Sequence, residues 1–165
     1  MTTTPTFPEP SLYQIAYVTT DLDRAIGVFQ SMRGIPLQDV GAVTLPLDEG
    51  GEVEIRMAMG FLRDVMFELI EPMSGSTQVF TQSLPSDGFG IAFHHLAYKV
   101  SSPEHLEAVR MRLAEAGHPI AASGGRVERA RFIYVDLRPE LGHFVEYLYL
   151  SPERERFQNG LPRAD

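Results

Sequence analysis

The chain has 165 residues, 44% of them hydrophobic, so it is long enough to bury a core of its own. Its formal net charge of -8 argues against non-specific nucleic-acid binding, which depends on clustered Lys and Arg, and favours a small-molecule partner. The absence of cysteine excludes disulfides and thiolate ligands, so a metal ion would be held by nitrogen and oxygen atoms.

The first segment, residues 1–11, is rich in Thr and Pro and is predicted to be a flexible arm. It lacks the basic region and apolar core of a secretory signal, and charged residues interrupt every long apolar run of the chain. We therefore expect a cytoplasmic protein that has no membrane partner.

Residues 12–72 form the first of two predicted units. Tyr13 to Thr19 has the pattern of a strand, and Asp21 is placed to cap a helix that ends at Gly34. Three short extended runs separated by turn residues follow, at 41–47, 53–59 and 65–70. The predicted order is βαβββ.

A linker rich in Ser, Gly and Pro is predicted at 73–90, and residues 91–152 repeat the same order. A strand from His94 is followed by Ser102, which is placed to cap a helix, and by Gly117 just past the end of that helix. A Gly-containing connection is predicted at 120–128 and strands at 131–137 and 144–150, and the polar tail at 153–165 is expected to cover an edge or trail in solvent. The chain is therefore predicted to contain two copies of one unit.

Four polar residues occupy equivalent places in the two copies. Gln14 and His95 stand in the first strands, 81 positions apart, and Glu68 and Glu146 stand in the last strands, 78 positions apart. A carboxylate in an apolar strand is costly to bury without a partner, so both glutamates require an explanation. A shared divalent metal ion would supply one, and an amide oxygen, an imidazole and two carboxylates suit Zn, Ni, Co, Mn or Fe.

Other polar residues are weaker candidates. His94 is expected to alternate to the opposite face from His95 and to be structural. Lys99 shares the face of His95 and is either a contact for an acidic substrate group or a solvated strand end. A basic cluster is formed by Arg126, Arg129 and Arg131. It is interpreted either as a group that anchors a carboxylate, glutathione or CoA phosphate of the substrate, or as a solvated face.

The chain resembles the vicinal oxygen chelate superfamily, which includes glyoxalase I, methylmalonyl-CoA epimerase, extradiol dioxygenases and bleomycin-resistance proteins. The resemblance covers roughly residues 12–152 and implies an α+β fold, in which two βαβββ modules form a cup-shaped eight-stranded mixed sheet with helices on the outside. It also implies a homodimer. The segments that carry it are Ile15-Ala16-Tyr17-Val18 with Asp21-Leu22-Asp23, His94-His95-Leu96-Ala97-Tyr98, and Gly142-His143-Phe144-Val145-Glu146.

Carried over by position, the metal ligands of the family fall on Gln14, Glu68, His95 and Glu146. This set is similar to that of some glyoxalase I enzymes, whereas the segment 66–100 is more similar to methylmalonyl-CoA epimerase. The resemblance implies a metal-dependent lyase, isomerase or epimerase that abstracts a proton next to a carbonyl through a metal-bound enolate. Glu146 is the first candidate for the base and Glu68 the second.

Two other functions stay open at the level of sequence. The first is a metal-free ligand-binding or resistance protein, which metal content would distinguish from an enzyme. The second is an Fe(II)-dependent ring-cleaving dioxygenase. Ring cleavage fits less well, because Gln14 occupies a position at which those enzymes use histidine.

Overall fold

The computed structural model describes residues 8–165, so most of the predicted N-terminal arm lies outside the described residues. The elements follow the predicted order, with a strand within the predicted connection at 120–128 and short additions inside the second unit and after each unit. In chain order they are β1 (Ser11–Thr19), α1 (Leu22–Arg33), β2 (Gln38–Pro46), β3 (Glu52–Leu62), β4 (Val65–Gly75), α2 (Gln78–Thr81), β5 (Ile91–Lys99), α3 (Pro103–Glu115), β6 (Ile120–Arg126), β7 (Ala130–Leu137), α4 (Arg138–Leu141), β8 (His143–Leu150), α5 (Pro152–Asn159) and β9 (Arg163–Ala164).

The two long helices begin and end at the residues that the sequence indicates. The Asp21 side chain accepts a hydrogen bond from the backbone N–H of Arg24, and Gly34 ends α1 in the left-handed conformation at φ 64°. In the second copy, the Ser102 hydroxyl accepts from the backbone N–H of His105 at the start of α3. Both predicted N-caps are confirmed.

The strands form one mixed sheet in the order β2-β3-β4-β1-β5-β8-β7-β6. The central strands β1 and β5 are antiparallel, and each is flanked on its other side by the last strand of its own unit in parallel. The outer strands of each unit pair antiparallel. The strand order therefore runs outward from the centre of the sheet in the same way in both copies, and the predicted eight-stranded α+β fold is confirmed.

The sheet is curved, and its two faces bury different cores. Helices α1 and α3 cover the outer face through separate apolar clusters, which include Leu22 against Leu69 and Leu106 against Ile133. The inner face carries the largest cluster, in which methionine and aromatic side chains from both units meet. The functional candidates lie on this inner face.

The two outer strands of the cup approach each other at one point. Leu47 and Gly124 form an isolated β-bridge, and a side chain on Gly124 would collide with the facing backbone. Next to this bridge, Asp48 accepts two hydrogen bonds from Arg131, at 2.8 and 3.0 Å, and one from Arg110 at 3.1 Å. This contact joins the first unit to the second.

The segments outside the repeat are ordered against the sheet. The predicted linker at 73–90 contains the end of β4 and the short helix α2. The tail forms α5 and then β9, which pairs parallel with β3 at Phe61 and Leu62 instead of trailing in solvent. Within residues 8–165, no helix is long and apolar enough to cross a membrane.

Candidate active site

Two β-bulges at the centre of the sheet turn pairs of neighbouring side chains into the cup. The pairing of β1 with β5 shifts by one residue at Tyr13 and again at His94. An extra residue breaks the alternation of faces, so Tyr13 and Gln14 both face inward, as do His94 and His95. The prediction that His94 points away from His95 is wrong, because it assumed an uninterrupted strand.

The four equivalent polar residues meet on the inner face, on the adjacent strands β4, β1, β5 and β8. The Nε2 atom of Gln14 donates to Glu68 Oε2 over 2.6 Å and lies 3.3 Å from His95 Nε2. His95 Nε2 lies 3.1 Å from Glu146 Oε2 and 3.9 Å from Glu68 Oε2. All four residues are at most 6% exposed. The four residues at equivalent positions of the sequence repeat therefore form one cluster in the structure.

Two small residues make room for this cluster. Ala16 and Ala97 are fully buried, and each lies in register between two of the polar residues. A methyl group at these positions leaves space in which the longer side chains on either side can meet. The two rows across the sheet are Glu68-Ala16-His95 and Gln14-Ala97-Glu146.

Burial controls the protonation of the cluster. It raises the pKa of Glu68 to about 8, with a further contribution from the charge of Glu146, and it raises the pKa of Glu146 to about 8. It lowers the pKa of His95 to about 3. Tyr134 forms a hydrogen bond with Glu146. At neutral pH, without a bound cation, both carboxyl groups hold a proton and the imidazole is neutral.

The tautomer of His95 is fixed by its neighbour. His94 Nε2 lies 2.9 Å from the carbonyl oxygen of Val79, which can only accept, so this nitrogen carries the proton of the neutral ring. His94 Nδ1 is then an acceptor for His95 Nδ1, 2.8 Å away. The remaining nitrogen of His95, Nε2, therefore directs a lone pair toward Gln14 and Glu146.

The cluster fits a divalent cation in donor type, and one pair of its donor atoms has the expected spacing. Donor atoms about 2.1 Å from one ion are about 3.0 Å apart when they are adjacent, close to the 3.1 Å that separates His95 Nε2 from Glu146 Oε2. Glu68 lies further from His95, and among the described residues no three His, Asp or Glu side chains form a ready-made metal-binding group. Glu68 and the amide of Gln14, which would present Oε1, are the two side chains that would adjust.

A cavity of about 240 Å³ opens beside the cluster. Gln14, Glu68 and Glu146 line its polar end, and apolar side chains such as Met57 and Phe132 form its walls. Three arginines complete the lining: Arg126, Arg129 and Arg154. The cavity can therefore hold a small molecule that has an apolar body and polar groups at its ends.

The other predicted substrate-binding residues lie elsewhere. Lys99 forms a 2.9 Å ion pair with Glu155 and does not line the cavity. Arg131 is paired with Asp48 at the contact between the two units. The basic cluster of the sequence is thus divided: Arg126 and Arg129 stand at the cavity, and Arg131 does not.

Sequence reasoning missed three residues that add polar groups to the cavity, namely Tyr134, Arg154 and Gln158. Tyr134 lies in a strand of ordinary apolar pattern, so nothing local distinguished its hydroxyl. Arg154 and Gln158 stand in α5, beyond the recognised repeat. Their spacing of four residues on one helix face is the signal that could have found them.

Comparisons with known proteins agree with this fold. A sequence model of the Glyoxalase/Bleomycin resistance protein/Dioxygenase superfamily matches residues 9–135. No curated protein sequence matches the chain. Similar solved structures include methylmalonyl-CoA epimerase from Mycobacterium tuberculosis, with 22% identity over 88% of this chain and 91% of that chain and a TM-score of 0.60.

Two further structures are similar over a comparable length. A hypothetical protein from Bacillus halodurans has 23% identity over 87% of this chain and 96% of that chain, with a TM-score of 0.57. A variant of Streptomyces coelicolor methylmalonyl-CoA epimerase, in complex with 2-nitronate-propionyl-CoA, has 17% identity over 87% of this chain and 99% of that chain, with a TM-score of 0.55. At these identities the likeness shows a shared fold.

Proposed function

The chain belongs to the Glyoxalase/Bleomycin resistance protein/Dioxygenase superfamily, and from this premise we propose that it is a divalent-metal-dependent isomerase, epimerase or lyase. Its substrate is a small molecule that loses a proton from the carbon next to a carbonyl group. The observation that carries the proposal is the meeting of two buried carboxyl groups, an imidazole and an amide at the polar end of one cavity.

The chemistry of the bound ion follows from the donor set. Gln14, Glu68, His95 and Glu146 would hold a divalent ion, which would polarise a substrate carbonyl and favour loss of the neighbouring proton. Zn, Ni, Co, Mn and Fe are all compatible with these nitrogen and oxygen donors.

Glu146 is the proposed base. Its carboxylate takes the proton from the substrate carbon, and the hydrogen bond to Tyr134 steadies the negative charge before transfer. Its protonated form holds that proton easily, because burial raises the pKa of this carboxyl to about 8. The base is therefore suited to taking up a proton and returning it near neutral pH.

Glu68 is the second proposed proton carrier. It lies in the unit opposite to Glu146, at the equivalent position, and it also lines the cavity. If Glu146 removes a proton and Glu68 delivers one to the other face of the same carbon, the configuration of that carbon is inverted. An epimerase uses both carboxyl groups in this way, whereas proton return from one carboxyl alone would retain the configuration.

One observation favours a second candidate, a metal-free binding protein. The four polar side chains already contact one another, with Gln14 bonded to Glu68 and His95 next to Glu146. A neutral network of this kind is stable without an ion. The binding protein would use the same cavity and leave its ligand unchanged.

Metal content and proton exchange distinguish the candidates. The purified protein is analysed for bound metal by mass spectrometry and is then incubated with methylmalonyl-CoA in deuterium oxide. An enzyme of the proposed type holds one divalent ion per chain and incorporates deuterium at the carbon next to the carbonyl. Glu146→Gln abolishes this exchange, whereas Glu140→Gln, at an exposed position, does not.

If added ions do not bind at all, the metal-dependent enzyme is ruled out and the binding protein is favoured. If the ion binds but Glu146→Gln exchanges deuterium at the normal rate, the proposed base is wrong. Continued inversion of configuration at the normal rate in Glu68→Gln would contradict the role of Glu68 as the second carrier.

A further inference from the structure

We infer that the ligand of this cavity carries a carboxylate group, bound by Arg154 and Gln158 of α5; this rests on the proposed function for the other end of the same molecule. Helix α5 follows the second unit and lies beyond the residues matched by the superfamily model. Arg154 and Gln158 are four residues apart, so they share one face of the helix. Both line the cavity that contains the carboxyl cluster.

Within the part of the chain that the structure describes, Arg154 has no anionic partner. Its side chain is partly buried, and its guanidinium stacks 4.6 Å from the ring centroid of Phe157. No carboxylate among residues 8–165 lies within ion-pair distance of it. Burial lowers the pKa of the Arg154 guanidinium overall, although the nearby Glu68 acts to raise it. A partly desolvated guanidinium gains a strong interaction when a carboxylate binds.

Gln158 is positioned to assist. It is only 3% exposed, and its Oε1 atom accepts a 2.6 Å hydrogen bond from the hydroxyl of Tyr13. This bond fixes the orientation of the amide, because the oxygen must face Tyr13. The Nε2 atom is left as a donor on the cavity side. Arg154 and Gln158 together therefore present N–H groups to one oxyanion.

Comparison of the two units shows that the polar groups of α5 have no counterpart in the other half of the cup. The offset of 78 positions that relates Glu68 to Glu146 also relates Phe80 of α2 to Gln158 of α5. Phe80 is 1% exposed and stacks on His94, so it fills its half of the cup with apolar packing. In the other half the equivalent place holds an amide, and the space remains open.

The position of Arg154 limits the length of the ligand. Arg154 and Glu68 line the same cavity, so a carboxylate bound by Arg154 would share this space with the carbonyl group that the cluster would recognise. The cavity of about 240 Å³ accommodates a short acid, or the short acyl end of a larger molecule. A carboxylate a few bonds away from a carbonyl satisfies both ends of the cavity.

The test uses malonate as the probe and malonamide as its neutral counterpart. Binding to the whole protein is measured by calorimetry, with and without saturating divalent metal. We expect malonate to bind in preference to malonamide and Arg154→Met to weaken malonate roughly 10- to 100-fold, the loss typical of a charged hydrogen-bonded contact. Arg154→Lys should recover part of the affinity, and Arg156→Met, on an exposed position of the same helix, should have no effect.

The outcomes separate this inference from the proposed function. If the protein binds metal but malonate affinity is the same in Arg154→Met, the carboxylate site is wrong and the proposed function stands. If malonate binding depends on Arg154 although no metal binds, the carboxylate site stands and the metal-dependent enzyme fails. Equal binding of malonamide and malonate would also overturn the carboxylate site.

Discussion

The Nδ1 atoms of His94 and His95 lie 2.8 Å apart inside the cup, although neighbouring residues of a regular strand point to opposite faces. The bulge at His94 makes the contact possible, and the carbonyl of Val79 determines its direction. A chain of two hydrogen bonds therefore connects α2 to His95 Nδ1, and the other ring nitrogen of His95, Nε2, faces the carboxyl cluster. His94 is a positioning residue for His95.

Replacing His94 should weaken metal binding without unfolding the protein. In His94→Phe the ring still stacks on Phe80, but the acceptor for His95 Nδ1 is lost. We expect roughly 10- to 100-fold lower affinity for a divalent ion, the usual effect of removing a group that orients a ligand. Competition with a chromogenic chelator measures this affinity, and His118→Phe, at an exposed position, is the control.

Nitrogen NMR of the metal-free protein gives an independent measurement of the same contact. In the wild-type protein, His95 should carry its proton on Nδ1, and in His94→Phe the Nε2 form should become populated. Unchanged tautomer and unchanged metal affinity would together show that His94 has only a packing role.

The metal-free protein should become less stable as the pH rises from about 6.5 to about 8. Unfolded glutamate titrates near 4.5, whereas burial raises the pKa of Glu68 and Glu146 to about 8. The folded state therefore holds more protons than the unfolded state, and the free energy of unfolding falls by up to about 1.4 kcal/mol per pH unit for each carboxyl.

At lower pH, the histidines act in the opposite direction. Burial lowers the pKa of His94 and His95 to about 3, so between about 6.5 and 3 the unfolded state binds more protons and stability is lost as the pH falls. The two effects oppose each other between about 4.5 and 6.5, where we expect a maximum. Urea denaturation across this range measures the profile.

Substitutions and added metal test whether the two glutamates cause the fall in unfolding free energy above pH 6.5. Glu146→Gln should reduce it by about half, because one of the two titrating groups is removed, and Glu140→Gln should leave it unchanged. A saturating divalent ion should reverse the slope, since binding requires ionised carboxylates. A flat profile in the metal-free wild-type protein would contradict the protonated state of the cluster.

Most of the fold could be predicted from the sequence because its signals are local. The caps at Asp21 and Ser102 define the starts of both long helices. The spacing between the two copies also places Gln14, Glu68, His95 and Glu146 on equivalent strands, and the structure brings these four side chains together. Because the unit is duplicated, the spacing between its copies indicates which distant residues occupy equivalent positions in the sheet.

Other parts of the site depend on pairing that no local pattern contains. The bulges at Tyr13 and His94 exist only in the register between β1 and β5, so alternation alone assigned His94 to the wrong face. Arg131 looked like a substrate contact because its partner, Asp48, is 83 positions away. The polar face of α5 went unnoticed, since a short charged helix after the last strand is ordinarily a solvated tail.

Filling the space between the cluster residues should abolish the site while the fold survives. Ala16→Leu places three more heavy atoms between Glu68 and His95, which flank Ala16 in register. We expect a loss of about 1–3 kcal/mol in unfolding free energy from overpacking and at least a 100-fold loss in metal affinity. Circular dichroism checks folding, and Ala114→Leu, on an exposed helix position, is the control. Normal metal affinity in Ala16→Leu would show that the cluster is not the metal site.

Asp48 should contribute to stability through its contact with the second unit. Burial acts to raise the pKa of its carboxyl, but hydrogen bonds from Arg131 and Ser123 and the charges of Arg131 and Arg110 lower it below 3.8 overall. The interaction therefore stabilises the folded state above pH 3.8 and is lost as the pH falls through the lower folded pKa. We expect Asp48→Asn to lower the free energy of unfolding by about 1–2 kcal/mol at pH 7.

Two measurements test whether the loss of stability in Asp48→Asn comes from its ion pair: its pH dependence and the effect of replacing Arg131. The difference between Asp48→Asn and the wild-type protein should shrink below pH 3.8, because the wild-type carboxyl then becomes neutral as well. Arg131→Met should have a similar effect at pH 7, and the double variant should lose less than the sum of the two, since both remove one contact. Asp64→Asn, at a fully exposed position, serves as the control. Additive losses would instead assign the two residues separate roles and would return Arg131 to the candidates for ligand binding.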